Sequence, residues 1–587
     1  MNKDKIRGRR LGNARKNFKQ KLQGGHKGQP VLRVIPLGGL EEVGKNSMVF
    51  ECGKDIVAID MGLQFPEENM LGIDYVVPDV TYLEERRKNI RGIIITHGHL
   101  DHIGGLRHVL PKLGFPTIYA TKLTMGLIKK QLAEYGVLDS AKLEVITPDS
   151  VLRLGDFRAG FFRVNHSIPD GVGVYLKSPA GSIVHTGDFK FDAHPADDKP
   201  AEIKKMQALG RKKGNDQIDI LFSDSTNAIK PGRTVSEKVI GDELDRLIER
   251  AGGRIIIASF SSLIGRIQQI LNSAAKHGRI VAVSGMSMEN NINIARELGY
   301  LKVPQGVLKP LKQVLKAPPG KTILITTGSQ GEAMAALARM ATNDHKHVKI
   351  QNGDTVVLSS SPIIGNERAV AAVKNNLCRL GANIVTNEIM DVHTSGHACQ
   401  EDLLQMMGFV RPRNLAPVHG DLYMRTTHKM LAVKKGGFRE ENVIVLDNGS
   451  VLELSNGKIL IKKEKIPVNY IVVDGLGTGD IGSQVLVDRE AMSQNGVLVV
   501  VFKVDKKTKK LKDKPLVLSR GFIYVNESDE IIKKLKEEAE KAYKYILGKD
   551  SKASAQDVCN YVKGVLDSTS HKKLARKPLI VPWVMNV

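Results

Sequence analysis

The segment Gly92-Ile-Ile-Ile-Thr-His97-Gly-His99-Leu-Asp101-His102 decides how this chain is read. Its first half is short, apolar and β-branched, the pattern of a buried strand. Its second half sets three imidazoles and one carboxylate within six residues, and a Gly-Gly turn follows at Gly104. Packing alone has little use for such a cluster. Imidazole suits zinc and other borderline metals, and a carboxylate can serve a second cation beside the first. The spacing lets His97 and His99 point to one metal while Asp101 and His102 serve another.

Working outward, other donors stand in the same setting, at the ends of strand-like runs. His166 closes Arg163-Val-Asn-His166, Asp188 closes His185-Thr-Gly-Asp188, and His419 closes Ala416-Pro-Val-His419. A residue of this kind standing alone is more often an ordinary hydrogen-bonding turn residue than a ligand. Together with the first loop they supply the count for two sites: His97, His99 and His166 on one metal, and Asp101, His102 and His419 on the other. Asp188 would bridge them.

The surrounding pattern predicts an α/β chain with ligands on loops at strand ends, where rigid strands hold them. Residues 1–30 form a basic arm with no apolar periodicity, and residues 31–224 alternate short strands with turns. Beyond Asp224 the runs Arg254–Ala258, Arg279–Val283, Thr322–Thr326 and Thr355–Ser359 alternate with helical periodicity at 234–251 and 264–277. That predicts a separate parallel α/β domain at 225–383, inserted into the first and followed by its completion at 384–456. A linker is read at 457–485. A final α+β unit follows at 486–587, with strands at Val497–Val504 and Phe522–Val525 and one charged helix, Ser528–Ile546.

Composition narrows the functional classes. The formal net charge is +24, a field that concentrates polyanions. Between Met1 and Gly28 there are ten Lys or Arg and a single Asp, which reads as an arm able to lie on phosphates or as a solubilising tail. The apolar runs are too short to span a membrane. The four cysteines, Cys52, Cys378, Cys399 and Cys559, form no CxxC pair. This argues against a disulfide framework and fits a reducing cytoplasm.

Asp60, the loop from His97 to His102, His166, Asp188 and His419 resemble the successive motifs of the metallo-β-lactamase superfamily. The resemblance implies a four-layer αβ/βα sandwich with two divalent ions per subunit, zinc before manganese or magnesium. It gives Asp60 the task of orienting the histidine loop from behind. Ser223-Asp224-Ser-Thr226 and Val392-His-Thr-Ser-Gly-His397 resemble the added motifs of the β-CASP nucleases, in which an inserted domain clamps nucleic acid. In that group the aspartate, here Asp224, supports the active site, and the later histidine, here His397, contacts the scissile phosphate. Asp101 or Asp188 can then orient a hydroxide, and a protonated His397 can stabilise the departing oxygen.

From about Val31 to Val587 the chain resembles the ribonuclease J family. The resemblance is carried by Leu37-Gly-Gly-Leu-Glu-Glu-Val-Gly-Lys-Asn46, Thr327-Gly-Ser-Gln-Gly-Glu332, Ser360-Ser-Pro-Ile-Ile-Gly-Asn-Glu367, Ser519-Arg-Gly-Phe522 and Lys577-Pro-Leu-Ile-Val-Pro582. It implies a cytoplasmic 5′-to-3′ exoribonuclease with endonuclease activity, preferring a 5′-monophosphate and acting in RNA maturation and decay. Single-stranded RNA, RNA-decay proteins and a homodimer or homotetramer are the implied partners. Ser395 and His397 are the candidates for gripping phosphate. Ser360 and Ser361, with Ser329, offer backbone amides to phosphates or are ordinary turns. His393 reads either as a substrate contact or as a satisfied turn residue. Leu263 and Gly265 stand where the family pattern has Asn and His, which puts 5′-end recognition in question. The rival readings are a DNA nuclease of the same group, a non-catalytic RNA-binding subunit and a small-molecule hydrolase.

Overall fold

The computed structural model of this chain describes residues 29–67, 70–197, 199–330, 332, 334–361, 366–475, 477–478, 483–522, 528–574 and 576–587. Most of the basic arm therefore lies outside the described residues. So do parts of the stretches 327–332, 360–367 and 474–480, and most of the strand predicted over 522–525. The chain divides into two compact units, one of residues 1–64 and 77–470, the other of residues 65–76 and 471–587.

In the first unit the short apolar runs of the early strands, buried on both faces, build two sheets. One has eight strands in the spatial order Lys458–Ile461, Leu452–Ser455, Leu32–Gly38, Ser47–Cys52, Asp55–Ile59, Ile90–Ile94, Ile118–Ala120 and Leu143–Val145. The other has six, in the order Asn414–Val418, Ile220–Asp224, Gly181–His185, Val172–Ser178, Phe157–Arg163 and Val151–Leu154. Val34, Phe50, Leu176, Ile183, Phe222 and Leu454 are buried between them. The outer face of the first sheet packs Ile93 and Ile95 on Leu106, Leu110 and Ile128 of its helices. The outer face of the second packs Val184 and Leu221 on Met206, Leu403 and Met407. Helix, sheet, sheet and helix are the four layers.

The inserted domain is a five-stranded parallel sheet in the order Ile280–Ser284, Thr322–Thr326, Ile255–Ala258, Thr355–Leu358 and Asn383–Val385. Both faces are covered, so its strands read as continuous apolar runs. Ile255 and Ile257 face the helices Glu237–Arg250 and Ile264–Lys276, whereas Ile256 and Ala258 face Ala336–Ala341 and Glu367–Arg379. Its last strand runs to Val385, beyond the boundary read at residue 383. The sandwich likewise continues past residue 456, because Lys458–Ile461 pairs with Leu452–Ser455 within what was read as linker.

The second unit centres on a three-stranded sheet. Val497–Val504 pairs antiparallel with Leu516–Arg520 and parallel with Leu579–Asn586. Leu498, Val500 and Phe502 face two helices, Ser528–Lys549 and Ala555–Leu574. The second helix and the final strand have no counterpart in the sequence reading. On that helix Val558, Val562 and Leu566 recur every four residues on the buried side.

Candidate metal centre

The predicted donors meet beyond the ends of the central strands. Asp60 follows Asp55–Ile59, His97 and His99 follow Ile90–Ile94, and Asp101 and His102 lie in the one-turn helix Leu100–Ile103. His166, Asp188 and His419 follow Phe157–Arg163, Gly181–His185 and Asn414–Val418, and Asp224 ends Ile220–Asp224. Asp60 and His419 hold left-handed backbone, with φ of 62° and 53°. Such strain in non-glycine residues persists where the surroundings over-determine it.

Two groups of donor atoms result: His97, His99 and His166, and Asp101, His102, Asp188 and His419. In the first, His99 Nδ1 lies 3.1 Å from His97 Nε2 and 3.0 Å from His166 Nε2. The network behind them fixes the tautomers. His166 Nδ1 donates to the carbonyl of Gly396 at 2.7 Å, so its Nε2 carries a lone pair. Thr96 Oγ1 donates to Asp60 Oδ2 at 2.9 Å and so is left to accept from His97 Nδ1 at 3.1 Å. Two lone pairs therefore converge on one nitrogen, whose single proton can satisfy only one of them. A cation among the three satisfies all, and the residues fit a metal on that ground.

The second group fits for a complementary reason. Asp188 Oδ2 lies 3.3 Å from His102 Nε2 and 3.7 Å from both His97 Nε2 and His166 Nε2, so it faces both groups. His419 Nε2 lies 3.3 Å from Asp101 Oδ2, as does His102 Nε2. His102 Nδ1 donates to Asp60 Oδ2 at 2.8 Å, which turns Nε2 toward the centre. Four carboxylates, Asp60, Asp101, Asp188 and Asp224, crowd this space, and a buried excess of negative charge calls for a cation.

Electrostatics divides the groups in the same way. Burial pushes His97 and His166 well below the ordinary imidazole range and His99 down to about 4. These rings are neutral at pH 7, the state in which imidazole coordinates, whereas at His102 and His419 a bound cation has to displace a proton. Burial also opposes charge on His102 and His419. At His102 the carboxylates of Asp188, Asp101 and Asp60 outweigh it and hold the ring well above its ordinary value. Asp188, Asp101 and Asp224 lift His419 to about 10. Asp101 and Asp188 are pushed up by burial, yet the neighbouring imidazoles hold both well below the carboxylate range.

Asp224 repeats on the other side what Asp60 does. Thr226 Oγ1 donates to Asp224 Oδ1 at 2.8 Å and accepts from His419 Nδ1 at 2.8 Å, while Asp224 Oδ2 accepts from His397 Nδ1 at 2.8 Å. Asp224, His397, Asp188 and His419 also lie close enough to form a third donor group. Both oxygens of Asp224 are engaged by Thr226 and His397, which makes it a support for imidazoles. Burial disfavours charge on His397, but Asp224 and Asp188 raise its pKa above the ordinary value.

The substrate candidates are placed unequally. Ser395 Oγ accepts from Asn227 Nδ2 at 2.8 Å and from the His397 amide at 3.2 Å, beside the centre. Ser360 is buried and its hydroxyl donates to the Ser329 carbonyl at 3.3 Å, whereas Ser361 is exposed. His393 lies inward against Phe260 with its centroid 6.5 Å away, and burial lowers its pKa to about 3. Its Nδ1 has no hydrogen-bond partner among the described residues, while its backbone amide donates to Asn387 Oδ1 at 2.9 Å. Leu263 and Gly265 line a small, partly open cleft with His166, Lys190, Ala196 and Arg266.

Three supports were not singled out from the sequence. Thr96 and Thr226 are the paired hydroxyls described above. Asn46 directs Nδ2 to the Asp101 carbonyl at 3.2 Å and lies 3.1 Å from His102 Nε2. The only signal for Asn46 was its place in a Gly-rich stretch, whose backbone bonds to Asp101 cannot be read from local pattern.

The sandwich, the inserted sheet and the donor set define a metal-dependent hydrolase of the metallo-β-lactamase superfamily with a β-CASP domain. Comparison with known families agrees along the chain. Residues 42–235 match the metallo-beta-lactamase superfamily, and residues 252–377 match the ribonuclease J beta-CASP domain. Residues 382–446 match the Zn-dependent metallo-hydrolase RNA specificity domain, and residues 484–587 the ribonuclease J C-terminal domain. Ribonuclease J2 of Bacillus subtilis (strain 168) is 39% identical over 559 residues, covering 95% of this chain and 99% of that protein. Ribonuclease J 1 of Streptococcus pyogenes serotype M3 is 40% identical over 552 residues, covering 94% and 97%. A solved structure of a protein of unknown function from Enterococcus faecalis V583 shares the fold, with a TM-score of 0.50 and 15% identity over 74% of this chain and all of that one. This chain belongs to the ribonuclease J family and is a metal-dependent ribonuclease. No helix among the described residues is long and apolar enough to cross a membrane.

Proposed function

We propose that the enzyme holds two divalent ions, zinc in the first instance, one on His97, His99 and His166 and the other on Asp101, His102 and His419. Asp188 is shared between them. The observation that carries this reading is the convergence of His97 and His166 lone pairs on His99 at 3.0–3.1 Å. When bound, such a pair supplies an activated water near neutral pH and neutralises charge on phosphoryl oxygens. The chain's own residues orient and protonate. Asp60 and Asp224 hold the imidazoles from behind. Asp101 and Asp188 accept hydrogen bonds from an incoming water and align it with the phosphorus. His397, whose pKa Asp224 raises, donates a proton to the leaving oxygen, while Ser395 bonds the phosphate.

The direction of action is 5′-to-3′ exonucleolytic with added endonucleolytic cleavage, on single-stranded RNA in maturation and decay, in the cytoplasm and alongside other RNA-decay proteins. A homodimer or homotetramer is supported by the open face of the second unit's sheet. Leu516, Leu518, Trp583 and Met585 are 45%, 50%, 60% and 43% exposed there, a contiguous apolar surface of the kind that marks an interface.

The test is incubation of a 3′-labelled, 5′-monophosphorylated RNA with the protein and with the double variant Asp101→Ala, His102→Ala, beside a DNA strand of the same sequence and a chelator lane. Release of mononucleotides from RNA alone, falling by at least about a thousandfold in the variant, is the expected outcome. Equal hydrolysis of DNA, or chelator-resistant cleavage, overturns the proposal.

A further inference from the structure

The connection between strands Val497–Val504 and Leu516–Arg520 reads Lys503-Val-Asp-Lys-Lys-Thr-Lys-Lys-Leu-Lys-Asp-Lys514, with seven lysines against two aspartates. A stretch of such composition usually stays unordered through self-repulsion. Here it is a tight hairpin. Val504 bridges Leu511, and the amide of Asp505 bonds the carbonyl of Lys510 at 2.9 Å. Asp505 Oδ1 accepts from the amides of Lys507 and Thr508 and from the Thr508 hydroxyl at 2.9–3.0 Å. That carboxylate is therefore turned into the loop.

The hairpin is also stapled to the turn between the helices Ser528–Lys549 and Ala555–Leu574. Lys509 Nζ donates to the carbonyls of Ser551 and Ala553 at 3.2 and 3.0 Å, and Tyr543 donates to the carbonyl of Lys509 at 2.9 Å. This brings Lys549 and Lys552 beside the hairpin lysines. Lys506, Lys507, Lys510, Lys512 and Lys514 are exposed, and no carboxylate lies within 4 Å of their ammonium groups among the described residues. Four residues before Lys549, on the same helix face, Tyr545 is 56% exposed and stacks on Tyr561, with centroids 5.5 Å apart and planes at 18°.

We propose that this ordered basic tip, with the Tyr545–Tyr561 stack, is an accessory binding site for single-stranded RNA within the C-terminal unit. The proposal rests on the ribonuclease reading for its choice of polyanion. A rigid row of unpaired ammonium groups gains most from a ligand with repeating phosphates, which releases counterions on binding. The exposed Tyr545 ring, backed by the half-buried Tyr561 of the following helix, adds a surface on which a base can stack. Lys509 is a positioning residue: its own ammonium is engaged by the turn, and it sets the row in place.

The test uses the full chain with metal chelated, and a labelled oligouridylate of about 20 nucleotides, longer than a typical single-strand site. Affinity is read across a salt titration for the parent and for Lys506→Gln, Lys507→Gln, Lys510→Gln, Lys512→Gln, which spares Lys509. Each neutralised phosphate contributes about 0.7 to the slope of log affinity against log salt, so the quadruple variant is expected to lose about 2 to 3 from that slope. Lys549→Gln, Lys552→Gln is expected to lose about 1 and gives a second reading should the hairpin variant fold poorly. Tyr545→Ser is expected to weaken binding about fivefold or more with the slope unchanged.

Unchanged slopes in both lysine variants overturn the proposal. So does retained RNA binding with lost adsorption to phosphatidylserine vesicles, which would assign the tip to a membrane surface. Hydrolysis by the parent, measured after metal is restored, separates the two readings. A slope loss in the variants with no hydrolysis by the parent upholds the tip and sinks the ribonuclease reading; hydrolysis with unchanged slopes does the reverse.

Discussion

Two buried sets of ionisable groups lie side by side in the first unit and are built on opposite plans. One is the imidazole and carboxylate centre. The other is a joint formed by Lys190, Asp192, Glu237 and Arg266, which are 1%, 5%, 6% and 1% exposed. In the joint every charge is answered. Arg266 donates to Glu237 Oε2 at 2.8 Å, to Ser359 at 2.5 Å and to the Val392 carbonyl at 2.6 Å. Lys190 donates to Glu237 Oε1 at 3.2 Å, and Asp192 accepts from the Glu237 amide at 2.8 Å and from Ser236 at 2.6 Å. At the centre, by contrast, lone pairs face lone pairs and carboxylates outnumber their partners. Burial of charge alone does not mark a functional site; an incomplete hydrogen-bond and charge balance does.

That contrast can be broken by stability measurements on chelated protein. Arg266→Leu strips Glu237 Oε2 and the buried Val392 carbonyl of their charged donor and is expected to cost about 3–5 kcal/mol of unfolding free energy. His99→Ala removes a crowded lone pair and is expected to change stability by less than about 0.5 kcal/mol while abolishing metal binding. Equal losses in the two variants would erase the distinction. The joint also has a pH signature. Burial pushes Glu237 up, but Arg266 and Lys190 outweigh it and hold the carboxyl at about 2. Its folded value lies below its unfolded one, so its contribution of about 3 kcal/mol is full above about pH 4.5 and is lost as pH falls toward 2. Acid unfolding of Glu237→Gln should lack that component.

A smaller effect sharpens the account of the centre itself. Asp60 with Thr96 and Asp224 with Thr226 are two copies of one device, in which a hydroxyl donates to the carboxylate and accepts from an imidazole Nδ1. Thr96→Val and Thr226→Val are each expected to lower metal affinity about 10- to 100-fold, read by competition with a chromophoric chelator. Unchanged affinity would mean that packing alone orients the rings.

The smallest effect concerns the cleft wall. A methyl group on Gly265 would lie 2.7 Å from Ala196 Cβ. Gly265→Ala is expected to cost about 1 kcal/mol in thermal unfolding, and Ala196→Gly in the same chain to restore most of it. A full-sized side chain at 265, as the family pattern has, requires the loop at Pro195–Asp197 to stand elsewhere. Additive losses in the double variant would show that Ala196 is not what excludes a side chain there.

Much of this was legible in the chain itself because it is local. The run Gly92–Ile95 is continuously apolar, and the ligand loop follows directly, so one segment announced both the layer and the chemistry. His166, Asp188 and His419 were legible by the same rule, as polar residues just past apolar runs. The inserted sheet was legible because its parallel strands are buried on both faces. The strand Leu579–Asn586 was not, since its partner Val497–Val504 is distant in sequence, and the helix Ala555–Leu574 went unread although it packs on the neighbouring helix Ser528–Lys549.

The sequence by itself determined which residue types would stand at the strand ends, and hence that cations and phosphate chemistry belong here. Tertiary structure alone decided how those residues are held. Asn46 and Asp101, Thr226 and His419, and Arg266 and Glu237 are distant in sequence, and their hydrogen bonds exist only once separate strands and domains meet. The physical reason is one of range. Hydrophobic periodicity acts over a few residues, whereas tautomer, charge balance and ligand geometry depend on contacts that no local pattern records.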